Sequence, residues 1–520
     1  MIHLNVQFLF CNFHFALKFL RTLKLIFIPI IVIFFSCATS TKIKKPAFRA
    51  DAIAGLRQQI DTFLQDSSLY QTRTGIKIVS LESGEVLYAH NSQLLFHPAS
   101  NMKLLTTATA LTKLGPNFKF KTIVYADTAA FVDSTIFGNL YLKGFANPDL
   151  TSDNLRWMGQ KLKEKGIRKI TGDLICDESY LDDLYSGAGW MWDDVSAWYW
   201  APISALTVND NCVTVRLKPG KNIGDTLMVA MEPPTTYMKI ENFGTTVDTT
   251  DTTRLKEFKV ERKWRPPENT IVVEGGLALH SKEREFVIDV VDAALYTGTL
   301  FAEFIQQQNI DFKGKILKGV IPDTSVQLVT HLSQPFTQTL INTNKVSDNL
   351  SAELILKTLG AEEKGTPGTA KKGISTINEF FYKIGVDSTT FELADGSGVS
   401  RYNVISPDLI IALLQTMHKD FRVQAEFKTS LPIAGVDGTL KNRMKNTPAE
   451  GKLRAKTGSL RGVSALSGYT TTADGELLAF SMIMEHFVVP TSKIREIQDR
   501  IGALISGFSR KGLLKESNSF

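Results

Sequence analysis

The chain has 520 residues, too many for one ordinary core, so two or more lobes are expected. Hydrophobic residues make up 43% and charged residues 22%, a balance that excludes bulk disorder. The net charge of +6 includes three basic residues near the N-terminus, and it gives no basis for a nucleic-acid partner.

The first 37 residues form a separate segment. Lys18, Arg21 and Lys24 precede LIFIPIIVIFFSC, an apolar run closed by a small residue and Cys37 and followed by polar ATSTKIKK. This is the layout of an export signal. The run from Leu25 to Phe35 is shorter than the about 20 apolar residues of a membrane span, while the apolar residues upstream leave a retained anchor open. FFSC resembles a relaxed bacterial lipoprotein box in which Cys37 would be lipidated, giving membrane attachment; simple signal cleavage is the alternative. Cys176 and Cys212 are the only cysteines after Cys37. Export would permit a disulfide, and buried free thiols are the default reading.

Residues 46–65 space Ile53, Leu56, Ile60 and Leu64 as one helical face. TGIKIVSLESGEVLYAHN then predicts a hairpin around Ser83-Gly84. A largely buried helix follows from about Ser100, with Leu104, Leu105, Ala108 and Leu111 on its apolar face. From 121 to 285 short β-rich runs and turn residues predict an inserted, mostly β lobe. Helical patterns resume at LYTGTLFAEFIQQQ and continue through DNLSAELILKTLG and SPDLIIALLQTMHKD. Two strands around Asp474-Gly475 and a helix over SKIREIQDRIGALISGF close the chain. Strand pairs near both ends predict one α/β (α+β) lobe, residues 46–120 and 286–510, interrupted by the insertion.

Three short motifs carry the chemistry. Ser100 and Lys103 in HPASNMKLL form Ser-x-x-Lys, Ser347-Asp348-Asn349 opens an apolar helix, and Lys456-Thr457-Gly458-Ser459 sits in a strand-like setting. Alone, Ser100 could be an ordinary helix cap. A second SDN at Ser152 opens a charged surface helix, where Thr151 or Ser152 reads as a cap. Serine needs a neighbour to take its proton, and a lysine three residues on shares its helix face. Lys103 must then be neutral, with burial and the Lys456 charge lowering its pKa. Ser347 could pass the proton to the leaving amine and Asn349 offer its amide to the substrate backbone. The N–H groups of Ser100 and Ser459 suit an oxyanion, and Thr457 and Ser459 beside Lys456 suit a free carboxylate. His97 reads as a loop or core residue, and neither a metal site nor a cofactor is expected.

Taken in order, the three motifs form the set of penicillin-binding proteins and serine β-lactamases. The chain resembles the class C low-molecular-mass penicillin-binding proteins, the D-alanyl-D-alanine carboxypeptidase/endopeptidase family. That family has a large insertion between its first two motifs, and GDLICDESYLDD, ADGSGVSRYN and LPIAGVDGTLKNRM are further similar stretches. The resemblance implies catalysis by Ser100, Lys103, Ser347, Asn349 and Lys456, and substrate binding by Thr457, Gly458, Ser459 and Leu460. It also implies that Asp177 reaches toward a stem peptide's diamino-acid side chain and that Arg401 lies near the site. A turn aspartate and a structural ion pair are the respective alternatives. The implied partners are peptidoglycan stem peptides and β-lactams; oligomeric state is not implied. A β-lactamase or esterase on the same scaffold, or a non-catalytic peptidoglycan-binding module, are the alternative functions.

Overall fold

The computed structural model describes residues 48–127, 131–191, 197–264 and 267–511. The export segment, with the lipidation expected at Cys37, lies outside the described residues. Both ends of the described chain meet in one five-stranded antiparallel sheet, whose strand order is 86–90, 73–80, 477–485, 463–471 and 454–460. The two central strands are buried on both faces and alternate between two cores. Phe480, Met482 and Met484 pack with the first and last helices, Phe48–Leu64 and Thr491–Gly507. Ala479 and Ile483 pack instead with helices Met102–Leu114, Asn349–Lys364 and Pro407–Lys419. A strand covered on both faces reads as a continuous apolar run, as LLAFSMIM does.

Between Lys121 and Leu332 the chain builds a second set of sheets. A mixed five-stranded sheet orders strands 316–318, 174–177, 140–144, 121–126 and 326–332. Helices Ser152–Glu164 and Ala293–Gln307 share a core with it through Leu155, Met158, Leu300 and Phe301. Smaller sheets, including the three-stranded sheet of 228–232, 212–218 and 284–289, complete this region. Residues 286–332 therefore pair with strands of the insertion: 311–312 with 169–170, 316–318 with 174–176, and 326–332 with 121–126. We read the insertion as running to Leu332, beyond the 285 taken from texture. An amphipathic helix such as 293–307 carries no mark of which sheet it will cover. Cys176 and Cys212 are both buried free thiols.

The serine and lysine of the first motif sit at a sharp entry to a helix. Ser100 lies in a 3₁₀ turn, Ala99–Asn101, that runs into helix Met102–Leu114. Ala99 holds φ at 47°, a left-handed conformation rarely adopted outside glycine. Gly398 packs on it so closely that an added Cβ would stand 1.8 Å from the Ala99 carbonyl oxygen. Ser347 is also left-handed, at φ 69°. Strained residues of this kind collect where surrounding structure fixes a functional geometry.

Candidate active site

A cleft of about 830 Å³ is lined by Ser100, Ser347, Asn349, Thr457 and Ser459, together with Leu460 and Arg401. The three motifs thus converge from the 3₁₀ turn, the start of helix Asn349–Lys364 and the edge strand Arg454–Leu460. Ser100 is not a helix cap. Its hydroxyl accepts from Lys103 Nζ at 3.0 Å, and no side-chain hydrogen bond caps that helix start. The decoy motif does cap: the Thr151 side chain accepts from the Asn154 N–H in a reciprocal capping box.

Lys103 is fully buried and donates to three acceptors. These are Ser100 Oγ at 3.0 Å, Asn349 Oδ1 at 2.6 Å and the Ser397 carbonyl at 2.8 Å. Three acceptors match an ammonium. A neutral amine would keep two donors for Asn349 and Ser397 and turn its lone pair to the Ser100 hydroxyl. Burial lowers the Lys103 pKa to about 8, against the opposing pull of Asp348, Asp395 and Glu353. Lys456 is also fully buried and donates to Ser347 Oγ at 2.8 Å and the Thr457 carbonyl at 3.0 Å. Burial first, and then the neighbouring Lys103 charge, hold it well below the ordinary lysine range. Desolvation lowers both, and the carboxylates of Asp348, Asp395 and Glu353 oppose it at Lys103.

Asn349 also differs in detail from expectation. Its Oδ1 is held by Lys103 and its Nδ2 donates to the Tyr199 carbonyl at 2.9 Å, which leaves one N–H for a ligand. Asp348 caps the helix, accepting from the N–H groups of Leu350 and Ser351 at 3.1 Å each. Thr457 Oγ1 bonds Thr439, and Ser459 Oγ accepts from Arg495 at 2.9 Å. Gly458 is required for closeness, since a Cβ there would lie 2.8 Å from the Pro98 carbonyl oxygen. The Arg401 guanidinium donates to the Arg461 carbonyl at 2.8 Å. His97 donates its backbone N–H to Glu485 and sets Nδ1 on the same carboxylate at 2.8 Å, a structural role.

The family profile of the D-Ala-D-Ala carboxypeptidase 3 (S13) family matches residues 56–506. The chain belongs to this family. It is 34% identical over 443 residues to a D-alanyl-D-alanine carboxypeptidase of Actinomadura sp. (strain R39), covering 82% of this chain and 80% of that one. It is 29% identical over 411 residues to the D-alanyl-D-alanine carboxypeptidase DacB of Haemophilus influenzae, covering 79% and 84% respectively. The crystal structure of penicillin binding protein 4 from Haemophilus influenzae is similar at a TM-score of 0.76 and 25% identity. That match covers 86% of this chain and 99% of the other. The S13 membership agrees with the class C resemblance drawn from the motifs.

Asp177 stands apart from the rest of the S13 site. Its side chain is fully buried and is not among the described residues lining the cleft. Lys143 Nζ, at 2.9 Å, and the N–H groups of Ile321, at 2.8 Å, and Ser179, at 2.9 Å, satisfy its two oxygens. Burial pushes its carboxyl up, but those donors outweigh burial and hold it below the usual range. This is the environment of a turn-fixing aspartate. Asp177→Asn is expected to lower thermal stability by about 2–3 kcal/mol, through the lost charge-assisted bonds. It should lower kcat/KM alike on peptides with and without a side-chain amine, as paired kinetics would show; a loss confined to amine-bearing peptides would assign Asp177 to recognition.

Sequence reasoning missed Arg443 and Arg495, which join Arg401 and Arg461 along the cleft. Arg443 is paired with Asp499 at 2.7 Å, while no carboxylate stands among the described lining residues beside Arg401, Arg461 and Arg495. These arginines are scattered in sequence; Arg443 lies within LPIAGVDGTLKNRM, but nothing local marked Arg495. Glu353 and Ser397 were also missed. A charged residue four positions after Asn349 on an apolar helix was the available signal for Glu353.

Proposed function

We propose that the chain is a serine D-Ala-D-Ala carboxypeptidase/endopeptidase that cleaves peptidoglycan stem peptides through an acyl-enzyme on Ser100 and is acylated there by penicillins. The Lys103–Ser100 hydrogen bond at 3.0 Å, inside a buried donor set, is the observation that carries this reading. Neutral Lys103 takes the Ser100 proton as Oγ attacks the penultimate D-Ala carbonyl. The Ser100 and Ser459 N–H groups receive the developing oxyanion. Lys456 gives a proton through Ser347 to the leaving amine, and water then hydrolyses the ester.

Substrate binding supplies the missing charge. A terminal carboxylate on Thr457 and Ser459 restores the proton affinity of Lys456, because an opposite charge favours the ammonium. The ammonium so formed favours loss of the proton from Lys103. Substrate thereby helps to arm its own base.

Carboxypeptidase and endopeptidase turnover share one acyl-enzyme and differ in the leaving amine. Digestion of purified muropeptide monomers and cross-linked dimers tests both: release of D-alanine from monomers is expected, with conversion of dimers to monomers measuring the second activity. Intact monomers and dimers would refute the reading. The layout of residues 1–37 supports export to the periplasm or cell-wall space, with lipidation at Cys37 as its finer form.

A further inference from the structure

Lys103 touches three acceptors, and the least obvious is the carbonyl of Ser397. A carbonyl does this only if its peptide is fixed. Glu353, 1% exposed and one turn after Asn349 on the same helix, grips the two backbone N–H groups just before that carbonyl, while the N–H of the carbonyl's own peptide, at Gly398, is held by Asp395 at 2.8 Å. Its Oε1 accepts from the N–H groups of Gly396 at 3.0 Å and Ser397 at 2.8 Å, and its Oε2 accepts from Gly396 at 3.1 Å. Thr106 Oγ1, on the Lys103 helix, donates to the Gly396 carbonyl at 2.8 Å. The loop cannot sit elsewhere, since a Cβ on Gly396 would lie 2.7 Å from the Ala352 carbonyl oxygen.

We infer that Glu353 is a positioning residue for Lys103, holding the N–H groups of Gly396 and Ser397 so that the carbonyl that follows them, that of Ser397, meets the lysine, and placing a buried carboxylate close behind it. This rests on the reading of Lys103 as the base. No lysine or arginine of the described residues pairs with Glu353. The charged groups around it are Asp395 in the loop and Lys103 beyond the peptide. Lys103 faces Asp348, Asp395 and Glu353, and its own charge acts on the neighbouring Lys456. Asp395 serves the loop itself, accepting from Gly398 and Ser400 N–H, Asn403 Nδ2 and Trp190 Nε1. Among the described residues, Glu353 supplies the hydrogen bonds that tie that loop to the helix bearing Asn349. Burial, with Asp395 adding, pushes its carboxyl up to about 7, so it is ionised where Lys103 titrates.

The test is the rate of penicillin acylation from pH 6 to 10, normalised to the count of reactive sites so that unfolded protein does not enter. Glu353→Gln removes a negative charge from the surroundings of an ammonium. The rising limb is expected about 0.5–1 pH unit lower than in the wild type, with the plateau about tenfold down. Glu353→Asp keeps the charge but cannot reach both N–H groups, so the limb should stay and the plateau should fall by about the same factor. A wild-type limb position in Glu353→Gln overturns the inference, and so does a wild-type plateau in Glu353→Asp, which stands if the first variant does not fold. A wild-type protein that penicillin does not label would refute the parent reading instead.

Discussion

Ser100→Ala is expected to abolish covalent labelling by a fluorescent penicillin and to reduce D-alanine release from a pentapeptide by about 10⁴-fold or more. The Ser100 hydroxyl is the group that Lys103 touches at the cleft, and alanine leaves the lysine with no proton to take. The substitution removes one oxygen from a half-buried position, so folding should be preserved. Circular dichroism and the thermal transition would establish that. Ser152→Ala, at the decoy motif, is the control, and it should label like the wild type. Labelling that persists in Ser100→Ala would move the nucleophile elsewhere and end the assignment.

Lys103→Met is the second large effect, expected to lower the acylation rate by about 10²- to 10⁴-fold, the range of a lost general base. Methionine approximates the aliphatic stem while removing the amine, so the buried volume is nearly kept. The wild type should show the base directly. With Lys103 at about 8, acylation by penicillin rises with pH through that value, and below it falls about tenfold per unit. The sign follows from the role: protonation removes the lone pair that receives the Ser100 proton. A rate flat between pH 6 and 9 would remove Lys103 as the titrating base. The limb should move in kcat relative to kcat/KM if a bound carboxylate restores the Lys456 charge, because the first reports the complex and the second the free enzyme.

The three motifs were legible because the chemistry demands fixed residue types at short spacings within one turn, one helix start or one strand. The apolar periodicity that gave helices 48–64 and 102–114 was equally local. What escaped depends on contacts between distant segments. Glu353 and Ser397 meet across 44 positions, so neither the charged residue on its apolar helix nor the serine within ADGSGVSRYN shows its partner locally. We place the end of the insertion at Leu332, not at the 285 taken from texture, because strands 316–318 and 326–332 find partners about 140 and 200 positions earlier, respectively. Asp177 was assigned to recognition by resemblance, whereas its Lys143 and Ile321 partners lie on segments the motif does not contain.

The sheet joining strand 73–80 to strand 477–485 sets an order of events as the protein is made. Ser100 and Lys103 leave the ribosome early, yet the strand bearing Lys456 reaches strand 73–80 only through 463–471 and 477–485. About 350 residues must be synthesised first, and the segment from 121 to 332 can form its own sheets in the interval. Closing a sheet over that separation is slow compared with local pairing. A nascent or C-terminally clipped chain therefore holds Ser100 and Lys103 without the strand that completes the cleft. Hydrolytic competence arrives last, as a by-product of topology, with no propeptide needed to delay it.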